Sequence, residues 1–244
     1  MSITENLLEF LAQKDRFIPQ LSIDCVIFGF HKNQLKILLL KMKGSDAWSL
    51  PGGYVEQHED IDTAARHILK NRTGLSDIYL EQFSVFGKAN RSTQESLRLF
   101  LEANTVELAD YQWMLQRFVS IGYYALVDFS KVNPSTDHFT DSYEWFETKK
   151  LPKIAFDHLE IIQKALETLR VTLDSKLVGS NLLPETFTMI ELQTLYETIL
   201  EVPLRRNNFQ RKMLSLDILE RIEKLYTGAA NKAPYLYRFK KECE

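Results

Sequence analysis

Four carboxylates lie before or at the first turn of a helix-like run at 60–73. They are Glu56, Glu59, Asp60 and Asp62. Carboxylate oxygens are the ligands that Mg²⁺ prefers, but the run itself carries Ile68, Asn71 and Arg72 at the spacing i, i+3, i+4, which places them on one helix face. A fixed positive charge on that face repels a dication. We therefore expect no metal site and no catalytic residue there, although the four carboxylates leave a displaced metal site as an alternative.

Basic and amide side chains are concentrated near the C-terminal end of the chain. Between Arg205 and Lys241 there are ten Lys and Arg residues against three acids, although the whole chain has a net charge of -3. The densest group consists of Arg205, Arg206, Asn207, Asn208, Gln210, Arg211 and Lys212. Arg and Lys neutralise phosphates, Asn and Gln match the major-groove edge of adenine, and Arg matches guanine. The cluster favours DNA binding, with a solvated basic face as the alternative.

The elements that position the first group of residues form an α+β pattern. A short amphipathic helix is predicted at 3–13, and apolar strands at 21–30 and 35–42 flank the polar turn "HKNQ". Further strands are predicted at 84–89 and 117–129, with an insertion between them. An apolar stripe predicts a helix over 157–173. We place the end of this domain at residue 175.

The basic cluster belongs to a second pattern, which follows a Gly-, Ser- and Pro-containing linker at 176–184. Thr188 and Glu191 form a capping box that begins a helix, and Pro203 ends it. A second helix begins near Asn207, with Phe209, Met213 and Leu216 predicted to face inward. Two strands follow, and the hairpin between them would carry Lys232, Arg238, Lys240 and Lys241. Two helices followed by a hairpin indicate a winged helix-turn-helix domain over 185–244.

The cysteines, the N-terminal sequence and the length of the apolar runs indicate the cellular location. Cys25 and Cys243 form no metal-ligand spacing and no disulfide framework, which is typical of a reducing compartment. The N-terminus lacks the pattern of a signal peptide. No apolar run approaches the roughly 18 residues that a membrane helix requires. These features predict a cytoplasmic protein without a membrane partner.

The stretch from Gly53 to Leu75 resembles the Nudix box, the signature of a family of Mg²⁺-dependent hydrolases. Gly53 and Glu59 have the required spacing, Gly74 and Leu75 fall in register, and the lead-in "WSLPGG" also fits. The arginine of the box is replaced by His67. Its three helix glutamates correspond to Ile68, Asn71 and Arg72. The resemblance implies a Nudix-like α/β/α sandwich, and the replacements imply that usual hydrolysis is lost.

Residues 187–239 resemble the C-terminal domain of the Nudix-related transcriptional regulators, through "FT..ELQ.LYE.IL..PL", "NF.RK.L" and "YLYRF", as does "IAFDH" at 154–158. That family includes repressors that sense ADP-ribose and regulators that sense free pentoses. The degenerate box and the strand "SIDCVIFGF" favour the sugar-responsive branch. Since the insertion around 92–116 departs from the family, it would reshape the pocket or the dimer contact.

The resemblance also suggests where an effector would bind. The candidate pocket residues are Trp48, Ser49, Gly52, Gly53, Asn90, Arg91, Asp157 and His158. Trp48 would stack on a sugar face or belong to the core. Asp157 would contact ligand or cap the helix at 157–173. A packed histidine is the more common role for a residue such as His158.

Together these patterns predict a ligand-responsive transcriptional regulator, a repressor of sugar-utilisation genes, that uses no cofactor. Its partners would be a double-stranded DNA operator and a small-molecule effector, a pentose such as arabinose or alternatively ADP-ribose. A homodimer is expected, because a single winged helix reads too few base pairs. Two rival hypotheses are an active Nudix hydrolase with relocated metal ligands and an adaptor that binds RNA or protein.

Overall fold

The computed structural model describes residues 3–76, 78–91, 97–98, 101, 107–136, 139–174, 179–225 and 233–240. The expectations for Lys232 and Lys241 lie outside these residues. The N-terminal domain is built on one mixed sheet. Its strands are β1 (Phe17–His31), β2 (Gln34–Met42), β3 (Trp48–Ser49), β4 (Gly52–Glu56), β5 (Tyr79–Phe86), β6 (Val119–Val127) and β7 (Thr140–Glu147).

The long first strand organises this sheet. The order is β3-β2-β1-β6-β5, while β4 also pairs with β1 and β7 with β2. Strands β1 and β6 run parallel, and the other pairs are antiparallel. Because β1 spans 15 residues, its first half pairs with β4 and its second half with β2. The pairing with β4 places Gly52 and Gly53 opposite Asp24 and Ile23, in the middle of β1.

Helices cover both faces of the sheet. Helix α2 (Ile61–Thr73) packs on the face that contains Ile23, Cys25 and Ile27. Helix α4 (His158–Thr172) packs on the opposite face, against Val26 and Phe28. Successive strand residues point to opposite faces, so a strand buried on both sides reads as a continuous apolar run. The burial of β1 on both faces explains the continuous apolar run "IDCVIFGF". The helices on the two faces confirm the expected α/β/α sandwich.

The turn between β1 and β2 is a two-residue hairpin. Lys32 and Asn33 both have positive φ angles, 49° and 59°. Type I′ turns require positive φ at both central positions, and asparagine tolerates this conformation well. His31 and Gln34 are paired across the turn, which fixes the register of the two strands.

The N-terminal helix and the insertion form a small layer of their own. Helix α1 (Ile3–Ala12) contributes Leu7 and Leu11, and the insertion contributes Leu97, Leu101, Tyr111 and Met114 to one apolar cluster. Within the insertion, helix α3 (Leu108–Tyr111) continues into a 3₁₀ turn. The insertion is therefore packed against the N-terminal helix.

The C-terminal domain is a winged helix. Its elements are the short helix α5 (Gly179–Leu182), β8 (Phe187–Thr188), α6 (Met189–Leu200), α7 (Arg206–Ser215), β9 (Leu219–Lys224) and β10 (Tyr235–Phe239). The strand order is β8-β10-β9. The capping box at the start of α6 is complete: Thr188 Oγ1 accepts from the Glu191 amide, and Glu191 accepts from the Thr188 amide. The predicted fold class is confirmed.

One apolar core runs through both domains. Residues of β1, β2 and α4 belong to the same cluster of buried side chains as Phe187, Leu192, Tyr196 and Phe209 of the winged helix. Leu182 and Leu183, in the segment expected to be a linker, are also buried in it. The winged helix is thus packed against the N-terminal domain, which is called the sensor domain below because it contains the candidate effector cavity.

Several expectations from the sequence differ from the structure. Strand β5 begins at Tyr79 and ends at Phe86, whereas 84–89 was expected, and β7 was not predicted. Leu216 was expected to face inward, but its side chain is 40% exposed, because α7 ends at Ser215 and the chain turns away. Leu159, expected in the apolar stripe of α4, is exposed as well. None of the helices in the described ranges is long and apolar enough for a membrane span.

Candidate functional site

A cavity lies between Gly52 and Gly53 at the start of β4, the end of α2 and the start of α4. One wall is aromatic and is formed by Phe10, Phe17, Tyr54, Phe118, Phe139 and Phe156. A second wall carries charge, through Asp24, Arg72 and Arg91, and also includes His158. Leu97 and Met114 of the insertion complete the lining. Two residues of the insertion therefore form part of the cavity lining.

A buried ionic network forms the charged wall. Arg91 donates to both carboxylate oxygens of Asp157, over 2.6 and 3.1 Å, and to Asp24 Oδ2 over 3.3 Å. The Nη1 of Arg91 donates to the carbonyl oxygen of Phe118 over 3.1 Å. The Arg91 side chain is only 4% exposed. A buried arginine is stable when carboxylates compensate its charge, so this network fixes the geometry of the wall.

His158 joins the network at the first turn of α4. Its Nδ1 accepts from the Leu50 amide over 2.9 Å, and its Nε2 lies 3.3 Å from Asp24 Oδ1. The proton of the neutral ring is therefore on Nε2, which donates to Asp24. Burial lowers the pKa of His158, although Asp24 and Asp157 act in the opposite direction. The ring is neutral and packed, the role that was favoured from the sequence.

Two glycines allow the backbone to approach β1 and α2. A Cβ at Gly52 would lie 2.6 Å from the carbonyl oxygen of Ile23. A Cβ at Gly53 would lie 2.9 Å from Cγ1 of Ile68. Backbone atoms cannot yield to the first contact, so Gly52 is required for the pairing of β4 with β1. At Gly53, the side chain of Ile68 occupies the space that a Cβ would need.

The residues at the Nudix glutamate positions do not form a set of metal ligands. Ile68 is buried against Gly53, Asn71 is exposed, and Arg72 lines the cavity. The Nη1 of Arg72 donates to the carbonyl of Thr136 over 3.3 Å. The described residues contain no group of three or more His, Cys, Asp or Glu side chains that could hold a metal ion.

The carboxylates before α2 have other partners. Glu59 accepts from the Glu56 amide over 3.0 Å and contacts His67 Nδ1 over 2.9 Å. Glu56 pairs with Arg16 over 2.5 Å, and Asp62 accepts from the hydroxyl of Tyr123. Asp60 stands at the N-cap of α2 without a side-chain capping bond. The carboxylates thus point to separate neighbours, and the displaced metal site gains no support from this geometry.

The structure brings together some of the expected pocket residues. Those that line the cavity are Ser49, Gly52, Gly53, Arg91 and His158. Asp157 lies behind the wall, where it holds Arg91 and makes no side-chain capping bond to α4. Trp48 packs edge-on against Phe146, with ring centroids 4.7 Å apart, as a core aromatic. Asn90 is exposed in a turn outside the cavity.

Sequence reasoning missed Asp24, Arg72 as a lining residue and the whole aromatic wall. An acidic residue inside the apolar run "SIDCVIFGF" was the available signal for Asp24, because an unpaired carboxylate is rarely buried. The aromatic wall had no such signal. Its rings come from α1, β1, β4, the residue before β6 and the segment around 139–156, and each lies in an ordinary apolar context.

The basic cluster of the winged helix lies at the start of α7. Arg205 is the N-cap residue, and Arg205, Arg206, Asn207, Asn208 and Arg211 are all exposed. Gln210 is half-buried, while Phe209 and Met213 face the core, with Phe209 packed edge-on against Tyr196. A helix N-terminus also favours nearby phosphates. The exposed face of α7 can therefore contact nucleic acid.

Three of the expected DNA-binding cations are held in ion pairs. Lys212 Nζ lies 2.5 Å from Asp174, Arg238 Nε lies 2.8 Å from Glu220, and Lys240 Nζ lies 2.6 Å from Asp217. The pair between Arg238 and Glu220 crosses from β10 to β9. These side chains are about half exposed, and such pairs are weak. Each of the three cations can therefore leave its carboxylate partner and pair with a DNA phosphate instead.

Helix α4 connects the cavity to the winged helix. His158 is at its first turn, and Arg170 is at its last turn. Arg170 donates to the carbonyl of Ile199 over 2.8 Å and pairs with Glu201 over 2.7 Å, at the end of α6. Asp174, just beyond α4, holds Lys212 of α7. Helices α6 and α7 of the winged helix are thus both attached to the far end of the helix that begins in the cavity.

Comparisons with known proteins match both parts of the chain. Residues 18–165 match the NUDIX domain, and residues 179–239 match the NrtR DNA-binding winged helix domain. The chain is 31% identical over 241 residues to the ADPR responsive transcriptional repressor NtrR of Acinetobacter baylyi, covering 94% of this chain and 87% of that protein.

Solved structures give the same result for the fold. The crystal structure of Shewanella oneidensis NrtR has a TM-score of 0.69 and 25% identity, covering 91% of this chain and 94% of that one. The same protein in complex with a 27mer DNA has a TM-score of 0.68 and 24% identity, with the same coverage. Together these matches show that the chain belongs to the Nudix family and, within it, to the NrtR family of DNA-binding transcriptional repressors.

Proposed function

We propose that this protein is an ADP-ribose-responsive repressor that binds its effector in the cavity and does not hydrolyse it. The observation that carries this proposal is an aromatic and charged cavity in an N-terminal domain that shares one apolar core with a winged helix. The relative from Acinetobacter baylyi is named as ADPR responsive, which supports the choice of effector. The sugar-responsive branch, favoured from the sequence, has no support among the relatives.

The two walls of the cavity suit the two parts of an adenine nucleotide. Adenine stacks on aromatic side chains, which the first wall supplies. The diphosphate and ribose hydroxyls require charged and polar partners, which the other wall supplies. A free pentose would engage the polar wall and leave the aromatic wall without a partner. The division of the cavity therefore supports the nucleotide as effector.

The absence of hydrolysis is part of the proposal. Nudix catalysis depends on helix glutamates that bind Mg²⁺, and this chain has Ile68, Asn71 and Arg72 in their positions. Without them the cavity retains its shape and its capacity to bind. A binding site without turnover suits a sensor, because the signal persists as long as the effector is present.

We further propose that the repressor acts as a homodimer on a palindromic operator. Two exposed basic helices, one from each copy, would enter successive major grooves. Effector binding and operator binding are thermodynamically coupled, and the coupling is reciprocal. An effector that weakens DNA binding is therefore bound less tightly by the protein–DNA complex than by the free protein. Light scattering of the purified chain tests the dimer directly.

The decisive experiment is fluorescence anisotropy of the full chain on DNA from upstream of its own gene and its neighbours. We would titrate at two salt concentrations with unrelated competitor DNA, and then add ADP-ribose, L-arabinose or D-xylose. We expect specific binding that ADP-ribose releases and the two sugars do not. Release by a sugar alone would refute ADP-ribose as the effector.

The same samples address the rival functions. Mg²⁺-dependent release of AMP from ADP-ribose would instead support a hydrolase with relocated ligands. Binding that disappears at higher salt or transfers to structured RNA would support an adaptor, because non-specific phosphate contacts are strongly salt-dependent.

A further inference from the structure

We propose that Arg221, Lys224 and Tyr235 form a cation platform on the wing that binds phosphates of the DNA backbone, with Tyr235 as the residue that positions the two cations. None of the three was among the DNA-binding residues expected from the sequence. The inference rests on the DNA-binding part of the proposed function and is independent of which molecule serves as the effector. It adds a second contact surface beside α7.

Both cations of the platform lie over the same aromatic ring. The Cζ of Arg221 is 4.4 Å from the ring centroid of Tyr235, and the Nζ of Lys224 is 5.5 Å from it. A cation within about 6 Å of a ring centroid is attracted by the negative face of the ring. Arg221 is exposed, whereas Lys224 and Tyr235 are half-buried. The ring therefore orders two charged groups at the protein surface.

A β-bulge places the two cations on one face of the hairpin. Lys224 is paired with Tyr235 and Arg221 with Tyr237, and the register shifts between the two pairs. In a regular strand, residues three apart point to opposite faces. The extra residue in β9 shifts this alternation by one, so both cations share the face of Tyr235. Bulges re-aim side chains in this way next to functional sites.

The platform concentrates positive charge in a small area. Within the described residues, the ion pairs of this hairpin are formed by Arg238 and Lys240 and not by the two platform cations. Two cations over one ring repel each other, because the Debye length at physiological salt is about 8 Å. An anion bound by both relieves this repulsion. Arg and Lys are the side chains that bind phosphate, the first as a planar fork and the second as a point charge.

The place of the platform in the fold fits a contact with the DNA backbone. Tyr235 packs against the apolar core that also contains Phe209 and Met213 of α7. The platform and the helix with the exposed basic cluster are thus held by one core, which fixes the spacing between them. Phosphate contacts set the register of a protein on the duplex, and base contacts provide the specificity. The platform would therefore position α7 for reading the bases.

Anisotropy titrations of the full chain over a series of salt concentrations test the platform. Two duplexes of equal length are used, one from upstream of the protein's own gene and one of random sequence. The cation variants are Arg221→Gln and Lys224→Gln, with Arg66→Gln, an exposed arginine of α2, as the matched control. The ring variants are Tyr235→Phe and Tyr235→Leu, with Tyr143→Leu, an exposed tyrosine of β7, as the control. Circular dichroism and urea midpoints verify the fold.

We expect each cation variant to lower the logarithmic salt slope by about one on both duplexes, because a phosphate contact does not depend on base sequence. Tyr235→Leu should weaken binding by about two- to fivefold at an unchanged slope, since both cations remain but are no longer ordered. Tyr235→Phe keeps the ring and should bind as the wild type does, and so should both controls. An unchanged slope in either cation variant would overturn the proposal.

A triple variant separates positioning from an effect on the fold. When Arg221 and Lys224 are both replaced by Gln, the further change Tyr235→Leu should cause no additional loss of DNA affinity, because the ring has no cation left to order. An additional loss equal to that of Tyr235→Leu alone would show that Tyr235 acts through the fold, and its positioning role would be wrong.

Failure of the proposed function gives a different result. If the wild type binds the random duplex as tightly as the upstream DNA, that DNA is not its operator, and the slopes on the random duplex still support or overturn the platform. An effector other than ADP-ribose changes none of these titrations, because none of them contains an effector.

Discussion

The ammonium group of Lys212 lies 2.5 Å from the carboxylate of Asp174, and this contact ties the exposed helix of the winged helix to the end of α4. Both side chains are about half exposed, so the pair contributes about 0–1 kcal/mol to stability. The pair matters for DNA binding, because Lys212 would otherwise be available to a DNA phosphate.

Asp174→Asn should therefore release Lys212 for DNA. We expect a nearly unchanged unfolding midpoint, tighter operator binding at low salt, and a logarithmic salt slope that is steeper by about one because one more phosphate is neutralised. Anisotropy titrations over a series of salt concentrations measure this. Asp46→Asn, which breaks an exposed pair with Lys153 in the sensor domain, is the control and should leave the slope unchanged. An identical slope in Asp174→Asn would show that Lys212 does not contact DNA.

Removing Arg91 should destabilise the whole protein. Arg91→Ala leaves the carboxylates of Asp24 and Asp157 without their shared cation, and the loss of one partner from a buried ion pair costs about 3–5 kcal/mol. Urea unfolding followed by circular dichroism measures this loss. Lys88→Ala removes a lysine that is paired with Glu160 on the surface and should cost no more than about 0.5–1 kcal/mol. A similar small cost for Arg91→Ala would contradict the structural role of the network.

His158 should make stability depend on pH. Burial lowers its folded-state pKa below the unfolded value of 6.5, so the unfolded chain binds the proton more readily. The contribution of the neutral ring is complete above the unfolded pKa, and it is lost progressively as the pH falls through that value towards the folded pKa. We expect urea midpoints to fall from pH 7.5 to 5.5.

His158→Gln provides the comparison, because an amide does not titrate in this range. The variant should be less stable than wild type at pH 7.5, and its midpoint should fall less as the pH decreases. Parallel pH profiles for the two proteins would assign the pH dependence to other groups.

Arg211→Ala should weaken operator binding and leave effector binding intact. Arg211 is exposed on α7, on the face opposite to the buried Phe209 and Met213. Loss of a base or phosphate contact costs about 1–3 kcal/mol. Anisotropy gives the operator affinity, and calorimetry gives the ADP-ribose affinity. Lys150→Ala, an exposed lysine of the sensor domain, serves as the control. Unchanged operator affinity would remove Arg211 from the interface.

Local patterns in the sequence predicted much of the fold. The Thr188–Glu191 capping box, the "HKNQ" turn and the both-sided burial of β1 depend on residues that are neighbours in the chain. Strand β7 was missed because its pattern of buried and exposed residues is irregular, with most of Asp141–Trp145 exposed. Alternation is the signal by which a half-buried strand is recognised, and here it is absent.

The candidate site was predictable only in part. The two glycines Gly52 and Gly53 and the replaced glutamates are close together in the sequence, and they directed attention to the correct region. The network of Asp24, Arg91 and Asp157 joins residues that are 66 and 67 positions apart in the chain. No periodicity reveals such a pairing, since it depends on the packing of β1 against the start of α4. For the same reason Trp48 was placed in the pocket, although it belongs to the core.

The shared apolar core has a thermodynamic consequence. When two domains bury their side chains in one cluster, separating them exposes apolar surface at about 25 cal/mol per Å². Partial unfolding of the winged helix would therefore also uncover Phe28 and Leu39 of the sensor domain, which are fully buried in that cluster. The chain should lose its structure in a single cooperative step, so a ligand that stabilises the sensor domain also protects the DNA-binding domain against unfolding.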